Sequence, residues 1–294
     1  MRHSVLRSTA WLLVNSLFAL LWLSGCQTGP SPSDPRNLTT MISAEGSDTM
    51  VSLLTTWADA FKKANPEIPI SITSADSGDG IASLINRTTD LAMASRDLTD
   101  DERVLAHTKG VHLKKYTVAR DAMAIIANCS NPVKAVTVDQ LEQIYLGQLS
   151  NWSQLGGKNL PIEGLSREKS SGTYEYFQAH VLHGKDNANS AVLISSNEGI
   201  IARIKKDPGA IAYVGLGHAM AAGDKVKILA VKMMANTKGV IPSKTSLTDD
   251  YPLGRPLLVF TDASPKHSVE KFVNFCLSDE GQKLVAPTGY VAIR

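Results

Sequence analysis

The 294-residue sequence is 43% hydrophobic and 20% charged, which excludes a disordered chain and gives enough length for two modest domains. Its formal net charge of +2 comes from 30 basic and 28 acidic residues, and Arg2 and Arg7 supply the excess. The basic pairs Lys62-Lys63, Lys114-Lys115 and Lys205-Lys206 are scattered and form no stripe, which argues against a nucleic-acid-binding surface.

Arg2 and Arg7 precede an apolar stretch from Ala10 to Leu23, broken by Asn15 and Ser16 and followed by Ser24-Gly25-Cys26. The run is shorter than the roughly 18 to 20 apolar residues that a bilayer span needs, and small residues stand at the cleavage position, so residues 1–25 read as an export signal. Leu23-Ser24-Gly25-Cys26 resembles the bacterial lipobox, which would make Cys26 the lipidated first residue of the mature protein. Residues 26–38, rich in Pro and Ser, then form a tether. Of the remaining thiols, Cys129 and Cys276 lie in no Cys-x-x-Cys or metal spacing, and either a disulfide or two free thiols fits.

Met41 to Ala44 is a short apolar entry. Ser47 or Asp48 is the natural N-cap of a helix whose Val51, Leu54, Trp57, Ala58 and Phe61 keep helical spacing until Asn65-Pro66 stops it. A strand over 68–73 leads through Ala75-Asp76-Ser77-Gly78-Asp79-Gly80 into a second helical pattern, Ile81, Leu84 and Ile85. Residues 90–94 read as a buried strand ending in Ser95-Arg96-Asp97, and an acidic helix starts at Asp100. The segment 118–128 is the most apolar strand and a natural place for a domain crossing.

Thr137 to Gln140 is a capping box opening a helix with Leu141, Ile144 and Tyr145 on one face. A loop at Asn151 to Gly157 precedes a strand over 160–165, the polar run Ser166 to Thr173, and a helix over 174–182. A helix from Asn197 closes at Asp207-Pro208-Gly209, strands follow at 210–214, 226–231 and 257–261, and a single amphipathic helix spans 269–285. Alternation of strands and helices at these lengths predicts an α/β fold with mainly parallel sheets.

Three strand-to-helix junctions carry the same chemistry: Gly46 to Met50, Ser77 to Gly80, and Arg167 to Thr173. Small hydroxyl residues and glycines at helix starts leave backbone N–H groups and the positive end of the helix dipole free to face an anion. Arg96 and Arg167 would neutralise it, and Arg167 offers a planar fork for an oxyanion. In open α/β sheets such ligands sit beyond the carboxyl ends of the strands, where all three junctions fall.

The segments EGSDTM (45–50), SGDGIASLI (77–85), DLAMASRDL (90–98), ARDAMAIIAN (119–128), LSNWSQLGG (149–157), SREKSSGTYEYF (166–177) and DPGAIAYVG (207–215) together resemble the PstS-type phosphate-binding proteins of ABC phosphate importers. The resemblance implies a two-lobed periplasmic-binding-protein fold of type II, each lobe a mainly parallel sheet flanked by helices. One lobe would comprise residues 39–118 and 250–294, the other 119–249, with inorganic phosphate in the cleft. It implies a monomer without cofactor or metal, periplasmic or at the cell surface, anchored through Cys26 and delivering phosphate to permease subunits. Carried over residue by residue, Ser47, Thr49 and Met50 form the first clamp, Ser77 the second-loop donor, and Arg167, Ser171, Gly172 and Thr173 the opposing clamp. Where the best-known members place an Asp to accept the phosphate proton, this chain has Arg96, which leaves Asp48, or Asp79 after it, for that role.

Two other chemistries are weighed. Ser166-x-x-Lys169 matches the nucleophile motif of penicillin-interacting serine enzymes, but no Ser-Asp-Asn or Lys-Thr-Gly follows, Lys244-Thr245-Ser246 being the nearest approach. His180 and His183 share a helix face without a His-Glu-x-x-His pattern, so surface or capping roles fit them better than a metal. A sulfate or molybdate binder, and an anchored phosphate sensor, keep the same fold.

Overall fold

The computed structural model describes residues 41–243 and 251–294; the expected export signal, Cys26 and the tether lie outside the described residues, as does Lys244-Thr245-Ser246. Strand β1 (Ile42–Ser47) alternates inward and outward side chains before its last two residues are buried together. Gly46 there has φ +133, and a Cβ on it would stand 2.3 Å from the Met93 carbonyl oxygen, so only glycine lets the neighbouring strand approach. A 3-10 turn, Asp48–Met50, leads into helix α1 (Val51–Ala64), which buries Leu53, Leu54, Trp57 and Phe61 on one face. Ser47 is therefore the end of a strand, and its side chain makes no capping bond.

Strand β2 (Ile70–Ala75) is followed by helix α2 (Ser77–Ile85), β3 (Leu91–Ala94) and helix α3 (Asp100–Thr108). The last begins in a reciprocal box of Thr99 and Glu102. Strand β4 (Leu113–Ala127) starts five residues before the expected strand, because its first residues are mostly exposed and polar and carry no apolar signal. Next come β5 (Ala135–Thr137), helix α4 (Val138–Tyr145) with the expected Thr137–Gln140 box, β6 (Glu163–Ser166) and helix α5 (Gly172–His180). Strand β7 (Val192–Leu193), helix α6 (Asn197–Lys206), β8 (Ala210–Gly215) and helix α7 (Leu216–Ala222) follow.

The single strand expected over 226–231 is two, β9 (Lys227–Ile228) and β10 (Ala230–Lys232), which pair with β4 and β5 respectively. After β11 (Gly254–Asp262), the single terminal helix expected is also two, α8 (His267–Leu277) and α9 (Asp279–Lys283). Ser278 is extended there, and its hydroxyl caps the Gly281 amide. The apolar spacing runs across that break, which is why periodicity hides it.

The strands form one sheet in the order β2-β1-β3-β11-β4-β8-β6-β7, with β9 also on β4 and β5–β10 a separate ribbon. Parallel pairs (β1 with β2 and β3; β6 with β7 and β8) flank an antiparallel centre, where β11 pairs with β3 and β4, and β4 pairs with β8. Apolar burial divides along β4. Val118 and Ala119 join a cluster with Trp57, Phe61 and Phe272, whereas Ala122 to Ala127 join another with Tyr145, Trp152, Phe177 and Tyr213. Among the described residues no helix is long and apolar enough to cross a membrane.

Candidate functional site

The carboxyl ends of β1 and β3 carry Ser47 and Ser95, and β6 ends at Ser166, directly before Arg167. Helices α2 and α5 start at Ser77 and Gly172 beside them, so their dipoles add positive potential at the same place. Glycine lets the two helix starts meet: a Cβ on Gly172 would lie 2.2 Å from Ser77 Oγ and 2.8 Å from Ser95 Oγ. The Gly78 amide donates to the Ser170 carbonyl at 3.1 Å. Across the same seam Thr49 and Thr173 share a hydrogen bond of 3.3 Å between their hydroxyls. Ser47, Thr49, Met50, Ser77, Arg167, Ser171, Gly172 and Thr173 are all buried, and of these Thr49 meets Thr173 and Ser77 meets Gly172 across the seam.

Several of these hydroxyls are oriented by a protein N–H. Ser77 Oγ accepts from the Ser95 amide at 3.2 Å, and Ser171 Oγ accepts from the Thr173 amide at 3.3 Å. Each keeps its own proton to donate. Ser95 Oγ and Arg167 Nε are buried without a hydrogen-bond partner. Leaving such groups unmatched costs about 1 to 3 kcal/mol each, a cost that an oxyanion at this point would relieve.

The guanidinium of Arg167, 1% exposed, is held rigidly. Its Nη2 donates to Asp76 Oδ1 at 2.8 Å and to the Ser195 carbonyl at 2.7 Å, while Nη1 stands 3.6 Å from Asp48. Ser170 donates to the other Asp76 oxygen at 2.7 Å. Burial raises the Asp76 carboxyl above its ordinary value, against the opposing pull of Ser170 and Arg167. Asp48 accepts from the Asn197 amide at 3.0 Å and its side chain at 2.8 Å. Asp79 turns back on its own helix, accepting from the Asp76 amide at 3.4 Å.

Arg96 is placed differently from the expectation that it neutralises the ligand. Its guanidinium is forked onto Glu102 by two bonds of 2.7 Å and also touches the Glu175 carboxylate. Two carboxylates thus share that charge, as Asp76 and Asp48 share that of Arg167, and Arg96 Nη2 lies 3.5 Å from where a Cβ on Gly78 would stand, at the start of α2. Asp76, Ser95, Asn197, Asp121 and Arg255 were not among the expected site residues. Ser95 and Asp76 stood inside the polar junctions, but nothing in the sequence pairs Asp76 with an arginine far along the chain.

Beneath the cradle lies an ion pair in which both side chains are 0% exposed. Arg255 on β11 reaches Asp121 on β4 at 2.9 Å through both Nε and Nη2, and Asp121 Oδ1 accepts from the Leu216 amide at 3.0 Å. Burial pushes the Asp121 carboxyl up, and Arg255 pulls it back.

Among the described residues, the groups weighed for the alternative chemistries are engaged elsewhere. Ser166 Oγ is buried against Tyr213 Oη at 2.6 Å and Asn187 at 2.7 Å, while Lys169 points out to Asp186. His180 stacks on Tyr176 with centroids 3.9 Å apart, and its Nδ1 lies 2.9 Å from the Tyr176 carbonyl. Among the described residues Asp48, Glu198 and His218 approach closely enough to share an ion. Asp48 already accepts two Asn197 donors with Arg167 beside it, and Glu198 is bonded to His218 at 3.2 Å, an ion-pair arrangement ill suited to a cation. Cys129 and Cys276 are free thiols, one exposed and one buried.

Comparison with known proteins adds a second line. The family model described as PBP superfamily domain matches residues 30–280. Protein SphX of Synechococcus elongatus is 30% identical over 263 residues, covering 86% of this chain and 77% of that protein. The phosphate-binding protein PstS of Staphylococcus epidermidis is 30% identical over 297 residues, covering 96% and 89%. Among solved structures, a phosphate ABC transporter substrate-binding protein from Clostridium perfringens with bound phosphate superposes with a TM-score of 0.78 at 29% identity, over 86% of this chain and 100% of that one.

Proposed function

Because the chain belongs to the PBP superfamily and, within it, to the PstS-type phosphate-binding proteins, we propose that the cradle at Gly172 binds inorganic phosphate outside the cytoplasm and hands it to an ABC permease. The staphylococcal PstS relatives are named for phosphate binding, and the Clostridium perfringens neighbour is a transporter substrate-binding protein solved with phosphate. The observation that carries the reading is the meeting of Ser77, Ser95 and Gly172 at one buried point, together with two buried donors, Ser95 Oγ and Arg167 Nε, that have no hydrogen-bond partner. A fully desolvated oxyanion supplies the acceptors that these donors lack.

The arrangement also supports a mechanism. Arg167 is already balanced by Asp48 and Asp76, so phosphate is held mainly by oriented hydroxyl and amide dipoles and the two helix starts, with no net-positive pocket. Thr49 and Ser77 come from the β1–β3 side, Ser171 and Thr173 from the β6–β8 side. An anion touching all four closes one set on the other, and separation of the two sets releases it. No bond-breaking group is required. The lobes we propose are residues 39–118 with 250–294, and 119–249; the apolar clusters divide a few residues beyond each border, between Ala119 and Ala122 and between Leu253 and Leu257. Attachment through a lipidated Cys26, function as a monomer and passage to permease subunits complete the proposal.

Titration calorimetry of residues 27–294 with phosphate, sulfate and molybdate tests it. Phosphate binding at micromolar concentration or tighter, with sulfate at least a hundredfold weaker, is the expected result. No heat with phosphate at that concentration would overturn it.

A further inference from the structure

We propose that Arg255 is a positioning residue for the anion site: paired with Asp121 beneath the cradle, it sets the hydroxyl of Thr173 so that its proton is presented to the bound oxyanion. The inference rests on the phosphate reading above. Ser77 and Ser171 each accept one bond from a backbone amide, at 3.2 and 3.3 Å, and so donate outward. Thr173 Oγ1 accepts from Arg255 Nη1 at 3.0 Å. The guanidinium thus does for Thr173 what main-chain amides do for the two serines. Arg255 Nη2 also lies 3.5 Å from Thr49 Oγ1, so the same fork touches the clamp hydroxyls contributed by both sides of the seam.

The pairing with Asp121 explains why the positioning needs an arginine. Nε and Nη2 both go to Asp121 Oδ2, which fixes the plane of the fork and leaves Nη1 aimed at Thr173. The carboxylate cancels the charge, so the fork orders two hydroxyls without adding net attraction for anions in general. Asp121 is fixed in turn by the Leu216 amide at 3.0 Å. A Cβ on Gly215 would come within 2.9 Å of Thr49 Cγ2 and 3.2 Å of Asp121 Oδ2, so the group packs too closely for the fork to swing aside. A lysine could keep the ion pair, but a single ammonium has no planar fork to hold Asp121 and Thr173 in fixed relation.

The test is a double-mutant cycle read by phosphate titration, with circular dichroism and thermal melting confirming that each variant is folded. Arg255→Lys is expected to weaken phosphate binding at least tenfold in the otherwise wild-type protein, and less than threefold when Thr173 is already Val. An equal loss in both backgrounds, or a folded Arg255→Lys with unchanged affinity, overturns the inference while the phosphate reading stands. A wild-type protein that does not bind phosphate overturns both. If Arg255→Lys does not fold, the neutral pair Arg255→Met with Asp121→Asn removes the same donor, and the same two thresholds decide.

Discussion

At Gly172 there is no room for a side chain, since its Cβ would overlap Ser77 Oγ at 2.2 Å. Gly172→Ala should therefore prop the two helix starts apart and weaken phosphate binding at least a hundredfold with the circular dichroism spectrum unchanged; a loss below tenfold would mean that they separate freely. Removing the Arg167 side chain leaves Asp76 and Asp48 without their buried partner. Arg167→Ala should weaken phosphate binding by about 3 to 5 kcal/mol, and unchanged affinity by calorimetry would place the guanidinium outside the site. For the choice of phosphate over sulfate we propose Asp48 as proton acceptor, so Asp48→Asn should narrow the phosphate-to-sulfate ratio in competition titrations. The hydroxyl and glycine residues of this site are legible in sequence because helix starts use them in short, contiguous runs. Arg167 and Arg96 are legible too, but not the carboxylates that hold them: Asp76 for the one, Glu102 and Glu175 for the other. Asp121 and Arg255 lie far apart in strands whose pattern announces only burial.

Helix α5 carries the clamp because its other face is seated on β8. Phe177 stacks on Tyr213 with centroids 4.0 Å apart and meets the edge of Tyr145 at 4.7 Å. Burial pushes the Tyr213 phenol up to about 12, so these rings stay neutral at any ordinary pH. Phe177→Ala should cost about 3 to 5 kcal/mol in urea denaturation, through lost burial and an unfilled cavity. Where β1 begins, Asp90 accepts from the Ser43 amide and hydroxyl at 3.0 Å and from Lys266, tying the strand to the segment before α8. Burial alone would raise Asp90, but the bonds from Lys266 and Ser43 bring its carboxyl below the usual value. The unfolded chain then holds more protons over that interval, so this contribution is present above about pH 4 and is lost as the pH falls through the folded value. Asp90→Asn should lower the unfolding free energy from urea denaturation at pH 7 by about 1 kcal/mol through its weakened hydrogen bonds, with a difference that shrinks as the pH is lowered below about 4. Capping signals such as Thr137–Gln140 located elements well. The break at Ser278 escaped because an apolar stripe does not record a change of axis between two helices.

For the whole molecule, the alternation of strands and helices announced an α/β chain, and the antiparallel centre was the part it concealed. Strand order depends on which distant segments pair, and nothing in the apolar run Leu257 to Phe260 of β11 marks it as antiparallel to both its neighbours. If the proposed lobes close on phosphate, turning about β4 and β11 where the chain crosses between them, phosphate should reduce the radius of gyration in small-angle scattering; an identical profile with and without phosphate would mean that the molecule does not open. The position of β11 also bears on time. It inserts between β3 and β4, pairing Leu258 with Ala94 and Leu257 with Ala119, so the sheet half built by the first described strands stays unfinished until nearly the last residues have been made. The region from Ala122 to Leu253 encloses its own apolar cluster and can condense earlier. Pairings between such distant segments are slow to form and leave β3 with an unprotected edge meanwhile. A chain whose first half cannot complete its sheet before the end emerges remains unfolded for longer, which would suit the passage across a membrane that the proposed function requires.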